Sequence, residues 1–179
     1  MSKNHRAEVT ISTYELDGLY FAVGVSKEGN IIKCSLPKES KQNAINEIKK
    51  TCSSFKISNK YQKYAKNVCK SYYGEKIHFN IDIPDMGDFQ KEVLQEVSKI
   101  PYGEVRTYKQ IAEAINSKAY RAVGTAISKN PLPLIIPCHR VVKSDLSVGD
   151  FFGGMEMKKE ILKNEGICIV KGKIKKKVD

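Results

Sequence analysis

The chain has 179 residues, of which 41% are hydrophobic and 28% are charged, and its mean hydropathy is −0.41. These values are those of an ordinary globular protein with one good core or two small domains, and no apolar run is long enough to cross a bilayer. A formal net charge of +11 and a pI near 9.3 indicate a polyanionic partner, although a lysine-rich proteome alone also produces basic proteins.

The N-terminus is polar and lacks the apolar stretch of a signal peptide. We therefore expect a cytoplasmic protein, or a nuclear one in a eukaryote. The five cysteines form no CxxC pair, and an odd count argues against a disulfide framework. Because the three histidines do not cluster with cysteines at ligand spacing, we expect no metal site.

The first half of the chain predicts an N-terminal domain of strands and helices. Three strands are expected over residues 8–14, 20–25 and 31–36, separated by turn signals at 17–18 and 28–30. Two helices follow at 39–50 and 60–73, and a strand of strict alternation covers 77–83. In the second helix the spacing favours core contacts over an exposed stacking platform for Tyr61, Tyr64, Ala65 and Val68.

The turn-rich segment 84–88 is the best domain boundary, which predicts an α/β domain over 1–86, a second domain over 87–168 and a basic tail over 169–179. The second domain begins with an amphipathic helix over 89–97, for which Asp88 is the expected N-cap. Helices over 108–115 and 119–129, joined by a short turn, predict either a helix-turn-helix or an ordinary helix pair. The fold class expected is α/β (α+β), with a mostly helical second domain.

The second helix of that pair has a nearly bare face, made of Ala122, Gly124, Thr125 and Ala126. An interior glycine costs about 1 kcal/mol relative to alanine. Two interpretations explain that cost: close approach of another surface such as a nucleic-acid groove, or close packing against another helix.

The segment 130–140, Asn-Pro-Leu-Pro-Leu-Ile-Ile-Pro-Cys-His-Arg, carries one cysteine between a proline and a histidine. Its three prolines predict a stiff, extended support for a nucleophile. The basic neighbours His139 and Arg140 are expected to favour the thiolate form of Cys138. On an extended chain, adjacent side chains point oppositely, so a water molecule would have to join His139 to Cys138.

Several motifs in this half resemble the O6-alkylguanine-DNA alkyltransferase family, whose members transfer an alkyl group from damaged DNA to their own cysteine. The strongest is Pro-Cys-His-Arg-Val-Val over 137–142, and the resemblance extends over about residues 88–166. The other matching motifs are Ile-Pro-Tyr-Gly-Glu-Val over 100–105, Thr107-Tyr108, Arg121-Ala-Val-Gly124, Asn130-Pro131, Gly153-Gly154 and Glu165-Gly166.

The resemblance implies a single-turnover repair enzyme that acts as a monomer, without a cofactor, on double-stranded DNA containing O6-alkylguanine. It implies a relay from Cys138 through a water to His139 and Glu165, with Asn130 bracing the active-site segment. The helix-turn-helix would enter the minor groove, Arg121 would intercalate, and Tyr108 would rotate the nucleotide out and donate a proton near guanine N3. The other DNA contacts implied are Thr107, Ala122, Gly124, Thr125 and Ser144.

The chain departs from the family beside the expected base pocket, which the backbone near Val141 helps to form. Phe151 replaces a tyrosine of the family and loses only a hydroxyl, whereas Phe152 replaces a small residue. Our hypothesis is a narrower pocket that accepts methyl better than bulky adducts.

Two other functions stay open at this point. A non-catalytic protein that flags alkylated DNA would need no nucleophile, and the presence of Cys138 with His139 and Glu165 argues against it. A cysteine hydrolase would use the cysteine and histidine, but the sequence shows no sign of an oxyanion site.

Overall fold

A computed structural model describes residues 8–50, 52–79 and 86–175, and these residues form two compact units. The first unit contains residues 8–70 and 77–79, and the second contains residues 71–76 and 86–175. In these ranges no helix is both long and apolar enough to cross a membrane. The expected fold class is confirmed, because strands and helices make up the first unit and the second is mostly helical.

The first unit is built on a four-stranded sheet with the order β3-β2-β1-β4. Strands β1 and β2 form a hairpin whose two-residue turn, Asp17-Gly18, has φ values of 53° and 76°. Positive φ at both turn positions matches the right-handed twist of the strands that it joins. The strands are β1 (Val9–Leu16), β2 (Leu19–Val25), β3 (Ile31–Cys34) and β4 (Phe55–Ile57).

Two helices complete this unit. Helix α1 (Lys41–Lys49) begins at Ser40, whose side chain caps the backbone N–H of Asn43. The helix buries Ala44, Ile45 and Ile48 against strands β1 and β2, which places the core of the unit between α1 and the sheet. Helix α2 (Gln62–Tyr72) follows a 3₁₀ turn over Asn59–Tyr61.

Three expectations for this half need correction. The predicted strand over 77–83 is not formed at residues 77–79, and residues 80–83 lie outside the described ranges. Strand β4 was not predicted, because its three residues are too few for an alternating pattern and its partner β1 lies far away along the chain. In α2, Ala65 and Val68 are core residues as expected, but Tyr61 and Tyr64 are only half-buried.

The second unit is a set of four helices with two short strand pairs. Helix α3 begins at Asp88 itself and has Gly87 as its N-cap without a side-chain bond, so the predicted cap is wrong by one residue. An acidic residue in the first turn still interacts favourably with the helix dipole. The helices are α3 (Asp88–Ser98), α4 (Tyr108–Ala114), α5 (Tyr120–Ser128) and α6 (Met155–Asn164).

The second unit also contains two short pairs of strands. Strand β5 (Arg106–Thr107) pairs in parallel with β6 (Val141–Val142), which brings the start of α4 beside the segment that carries the cysteine. Strands β7 (Ile169–Val170) and β8 (Lys173–Ile174) form a hairpin. Residues 169–174 were assigned to the basic tail, but they form this hairpin, and Ile174 is buried in the apolar cluster of Val142 and Leu162. Residues 176–179 lie outside the described ranges.

Helices α4 and α5 pack against each other and are joined by a short turn that contains Asn116 at a φ of 53°. Helix α4 begins with a reciprocal cap, in which the side chains of Thr107 and Gln110 each accept a bond from the other residue's backbone N–H. Both helices also contact α3. The α4–α5 pair therefore has the arrangement expected of a helix-turn-helix.

Candidate active site

The segment that carries Cys138 is compact rather than extended, contrary to our expectation. Leu134 has a φ of 71°, and the backbone N–H of Ile136 donates to the carbonyl of Leu132 at 2.8 Å. A 3₁₀ turn over Cys138–Arg140 follows and leads into β6. Prolines fix their own φ but not the φ of the residue between them, so a chain reversal at Leu134 was not visible in the sequence. The turn also removes the argument that His139 must point away from Cys138.

Asn130 holds this segment in place. Its side-chain Nδ2 donates to the carbonyl of Ile136 at 2.9 Å, and its Oδ1 accepts from the backbone N–H of Leu132 at 3.0 Å. Asn130 lies two residues beyond Ser128, the last residue of α5, so it joins the end of that helix to the segment that carries Cys138.

His139, Arg140 and Glu165 form a buried group. Nε2 of His139 lies 2.8 Å from Oε1 of Glu165. Arg140 donates from Nε to Oε2 and from Nη2 to Oε1 of the same carboxylate, at 2.8 Å each. Its Nη1 also donates to the carbonyl of Ile100 at 2.7 Å. Glu165 therefore orients the imidazole and neutralises the guanidinium at once.

The other imidazole nitrogen, Nδ1 of His139, is buried and has no hydrogen-bond partner among the described residues. Burial lowers the pKa of His139, and its bond to Glu165 only partly opposes that effect. The imidazole is therefore neutral near pH 7. If Nε2 carries the proton and donates it to Glu165, Nδ1 is a free acceptor one residue from the thiol.

Burial raises the pKa of the Cys138 thiol, although Asn130 and the nearby Lys158 charge act in the opposite direction. The resting sulfur is a thiol, so the expectation that basic neighbours favour the thiolate is wrong. The reason is that His139 is neutral and the charge of Arg140 is already paired with Glu165. Bonds from His139 and Arg140 outweigh burial and hold the pKa of Glu165 well below its usual value.

Lys158 is a residue of this site that we did not predict. It is fully buried on α6, and its Nζ donates to the carbonyl of Val141 at 2.6 Å and to that of Asp150 at 3.3 Å. No carboxylate pairs with it in the part of the chain that the structure describes, and burial lowers its pKa to about 8. The sequence did carry a signal, because Lys158, Ile161 and Glu165 share one helical face at positions i, i+3 and i+7.

The outer side of the site is an open cavity of about 400 Å³ lined by Tyr108, Lys109, Tyr120 and Ser144. Burial raises the pKa of Tyr108, as do the nearby Cys138 and Asp150, so its hydroxyl keeps its proton at neutral pH. Tyr120 is 45% exposed at the first position of α5. We did not predict a role for it, although an exposed aromatic at a helix start beside Arg121 is a visible signal.

The predicted DNA-contact residues of α5 share its outer side. Arg121, Ala122 and Thr125 are exposed, and a Cβ placed on Gly124 would meet no described atom within 4 Å. Helix packing therefore does not explain the glycine, and approach of another molecule is the interpretation that stays open. Thr107 is half-buried as the cap of α4.

The three predicted pocket residues are placed differently from one another. Val141 is fully buried, Phe151 is half-buried, and Phe152 is 70% exposed. None of the three is among the residues that line the open cavity, so the structure does not show Phe152 narrowing it. The preference for methyl over bulky adducts stays a prediction.

Comparison with known proteins shows which family model and which relatives this chain is similar to. The model of the 6-O-methylguanine DNA methyltransferase DNA-binding domain matches residues 88–167. A methylated-DNA–protein-cysteine methyltransferase of Methanosarcina barkeri is 42% identical over 109 residues, which cover 59% of this chain and 69% of the relative. A relative from Archaeoglobus fulgidus is 40% identical over 118 residues, which cover 62% of this chain and 79% of the relative. One from Sulfurisphaera tokodaii is 44% identical over 102 residues, and the chain spans just under two thirds of it, at 64%.

A solved structure shows the likeness in three dimensions. The O6-methylguanine-DNA methyltransferase of Pyrococcus kodakaraensis superposes with a TM-score of 0.69 at 26% identity, covering 89% of this chain and 99% of that one. The fold similarity therefore extends beyond the matched second unit to the N-terminal half.

Proposed function

Because this chain belongs to the methylated-DNA–protein-cysteine methyltransferase family, we propose that it repairs O6-alkylguanine in double-stranded DNA by moving the alkyl group to its own Cys138. The observation that carries the proposal is the buried His139, adjacent to Cys138 in the chain, which has Nε2 bound to Glu165 and Nδ1 without a hydrogen-bond partner among the described residues. That is the arrangement that activates a neutral thiol at the moment of attack.

The reaction forms a bond between Sγ of Cys138 and the alkyl carbon and breaks the bond from that carbon to guanine O6. The thiol proton passes to Nδ1 of His139, through a water if the two atoms are not in direct contact. The electron pair of the broken bond stays on the guanine, which takes up one proton, and we assign its donation to Tyr108, whose raised pKa keeps its hydroxyl protonated at neutral pH. The products are guanine and a stable thioether, so each protein molecule acts once.

Lys158 supplies the positive charge that the sulfur needs as its thiol proton leaves. Its ammonium is already desolvated and held by two carbonyls, so it does not have to reorganise during the reaction. In the resting protein it has no ion-pair partner among the described residues, although the more distant Asp150 carboxylate also favours its charge. The transient thiolate would be that partner.

The burial of Cys138 dictates how the substrate must arrive. Only 8% of this residue is exposed, and guanine O6 sits on the major-groove edge of a stacked, paired base that a buried sulfur cannot reach. The nucleotide therefore has to rotate out, which costs a few kcal/mol. The exposed side of α5, with Arg121 and the bare Gly124, is the surface that we assign to docking in the groove.

Intact-mass analysis after incubation with a duplex carrying one O6-methylguanine tests this proposal. We expect a gain of one methyl group per protein, located on the Cys138 peptide. The Cys138→Ala variant should lose transfer but keep DNA binding, whereas Cys168→Ala, which changes an exposed cysteine outside the site, should react like wild type.

Transfer by Cys138→Ala at the wild-type rate would refute the assignment of the nucleophile. Tight binding of the lesion by wild type without any mass gain would instead favour a protein that only flags alkylated DNA.

A further inference from the structure

The first unit contains a stretch with unusual charge that the proposed reaction does not use. Between Glu47 and Glu75 the chain has no acidic residue. The same interval contains seven lysines, at positions 49, 50, 56, 60, 63, 66 and 70. A stretch of this kind accounts for a large part of the net charge of +11.

Helix α2 and the turn before it organise this charge into a surface. Lys63 and Lys66 are exposed and lie three residues apart, so they are neighbours on the outer side of the helix. Lys60, in the preceding 3₁₀ turn, is exposed as well. We call these three residues, together with Tyr14, Tyr61 and Tyr64, the lysine–tyrosine surface.

The tyrosines of this surface form flat, ordered supports for the lysines. The rings of Tyr61 and Tyr64 are stacked, with centroids 5.6 Å apart and planes inclined by 9°. Nζ of Lys60 lies 5.0 Å from the centroid of Tyr61, and Nζ of Lys66 lies 5.7 Å from that of Tyr14. An ammonium held over a ring keeps its full charge and its donors, so it remains able to bind an anion.

These lysines also have no carboxylate partner among the described residues. Within the described residues, none of Lys60, Lys63 and Lys66 forms an ion pair, whereas Lys38 pairs with Glu47 at 2.6 Å in the same unit. Unneutralised charges on one helix repel each other, and that repulsion is relieved when an external polyanion binds.

We propose that the lysine–tyrosine surface binds the phosphate backbone of nucleic acid. Neighbouring lysines on one helix side can each neutralise a phosphate of the backbone. Tyrosine hydroxyls can hydrogen-bond phosphates and sugars, and tyrosine rings can stack on exposed bases. This contact is separate from the lesion site, which lies in the second unit. It adds affinity that does not depend on sequence or damage.

The salt dependence of binding to an undamaged duplex tests the proposal. Each lysine–phosphate contact contributes roughly 0.9 to the slope of log K against log salt. We expect Lys63→Gln/Lys66→Gln to lower the magnitude of this slope by about 2. The matched control is Lys27→Gln/Lys41→Gln, which removes two exposed lysines of the same unit outside the stretch and should leave the slope unchanged. Lys63→Arg/Lys66→Arg should keep the wild-type slope.

An unchanged slope in the Gln variant, or an equal loss in both Gln variants, would overturn the proposal. Loss of binding only to vesicles that contain phosphatidylserine would also overturn it, in favour of a membrane partner. Methyl transfer is measured on the same proteins. Absence of transfer in wild type would refute the proposed reaction without affecting the slope comparison.

Discussion

At the scale of single residues, the site is governed by burial rather than by the charges of neighbours along the chain. Cys138 and His139 are both kept neutral because a desolvated charge is costly. The two charges that persist, on Glu165 and Arg140, neutralise each other. Lys158 is the exception, since it keeps a charge without a carboxylate partner in the described residues. The residue-scale tests therefore concern Glu165 and Lys158.

Replacement of Glu165 by Gln should slow methyl transfer by about a hundredfold or more, because the imidazole loses the group that orients it and stabilises its charged form. The variant should also lose about 3 kcal/mol of unfolding free energy, because Arg140 is left without its ionic partner. Single-turnover rates and denaturant unfolding measure the two effects.

Arg140→Gln is the matched control for Glu165→Gln, since it breaks the same ion pair but leaves the bond between His139 and Glu165. We expect it to lose stability with a much smaller effect on rate. Equal rate losses in the two variants would mean that Glu165 acts only by holding the fold.

Lys158→Met should slow transfer by about tenfold or more while changing the unfolding free energy by little. A pKa lowered from 10.5 to about 8 corresponds to a penalty of about 3 kcal/mol for the buried charge. Loss of the two bonds to carbonyls costs about 1 kcal/mol each, which offsets most of the gain. Lys159→Met, at the adjacent position, is the control. A wild-type rate in Lys158→Met would exclude this residue from the chemistry.

At the scale of elements, α5 and α6 carry the two halves of the function. Helix α6 presents Lys158 and, just beyond its last residue, Glu165 to the active-site turn. Asn130 lies two residues beyond the end of α5 at Ser128, and it hydrogen-bonds the carbonyl of Ile136 in the segment that leads to Cys138. The end of α5 is therefore tied to that segment through Asn130.

Gly124→Ala should stabilise the protein by about 0.5–1 kcal/mol and weaken its binding to DNA. Alanine has the higher helix propensity, and the added Cβ meets open space in the free protein. In a complex the same methyl group would stand between the helix and the groove. Thermal unfolding and DNA titration measure the two changes. Ser98→Ala, at the exposed end of α3 and outside the surface that we assign to docking, should leave binding unchanged. Unaltered binding by Gly124→Ala would show that this position does not face DNA.

At the scale of the whole molecule, stability and activity should respond to pH in opposite directions. The folded pKa of Lys158 lies below its unfolded value, so between about pH 8 and 10.5 the unfolded chain binds more protons. The unfolding free energy of wild type should therefore rise with pH in this window relative to that of Lys158→Met, by up to about 3 kcal/mol. Over the same window the transfer rate of wild type should fall as the ammonium loses its proton. A constant difference in stability between the two proteins would contradict a depressed pKa.

The sequence by itself determined the fold class, the α4–α5 pair and the cysteine that we propose as nucleophile, because these depend on local patterns. Helical spacing is set within a few turns, and the motif around Cys138 is contiguous. The same locality explains why the hairpin of β1 and β2 was predicted and the distant parallel partner β4 was not.

Only the tertiary structure decided the electrostatics of the site. The protonation of Cys138 and His139 depends on burial. Burial is a property of the packed unit and is not set by the residues adjacent along the chain. The pairing of Arg140 with Glu165 joins residues 25 positions apart. Lys158 became part of the site because packing of α6 against the active-site turn closed around it, and desolvation is a cost that only a folded chain can impose.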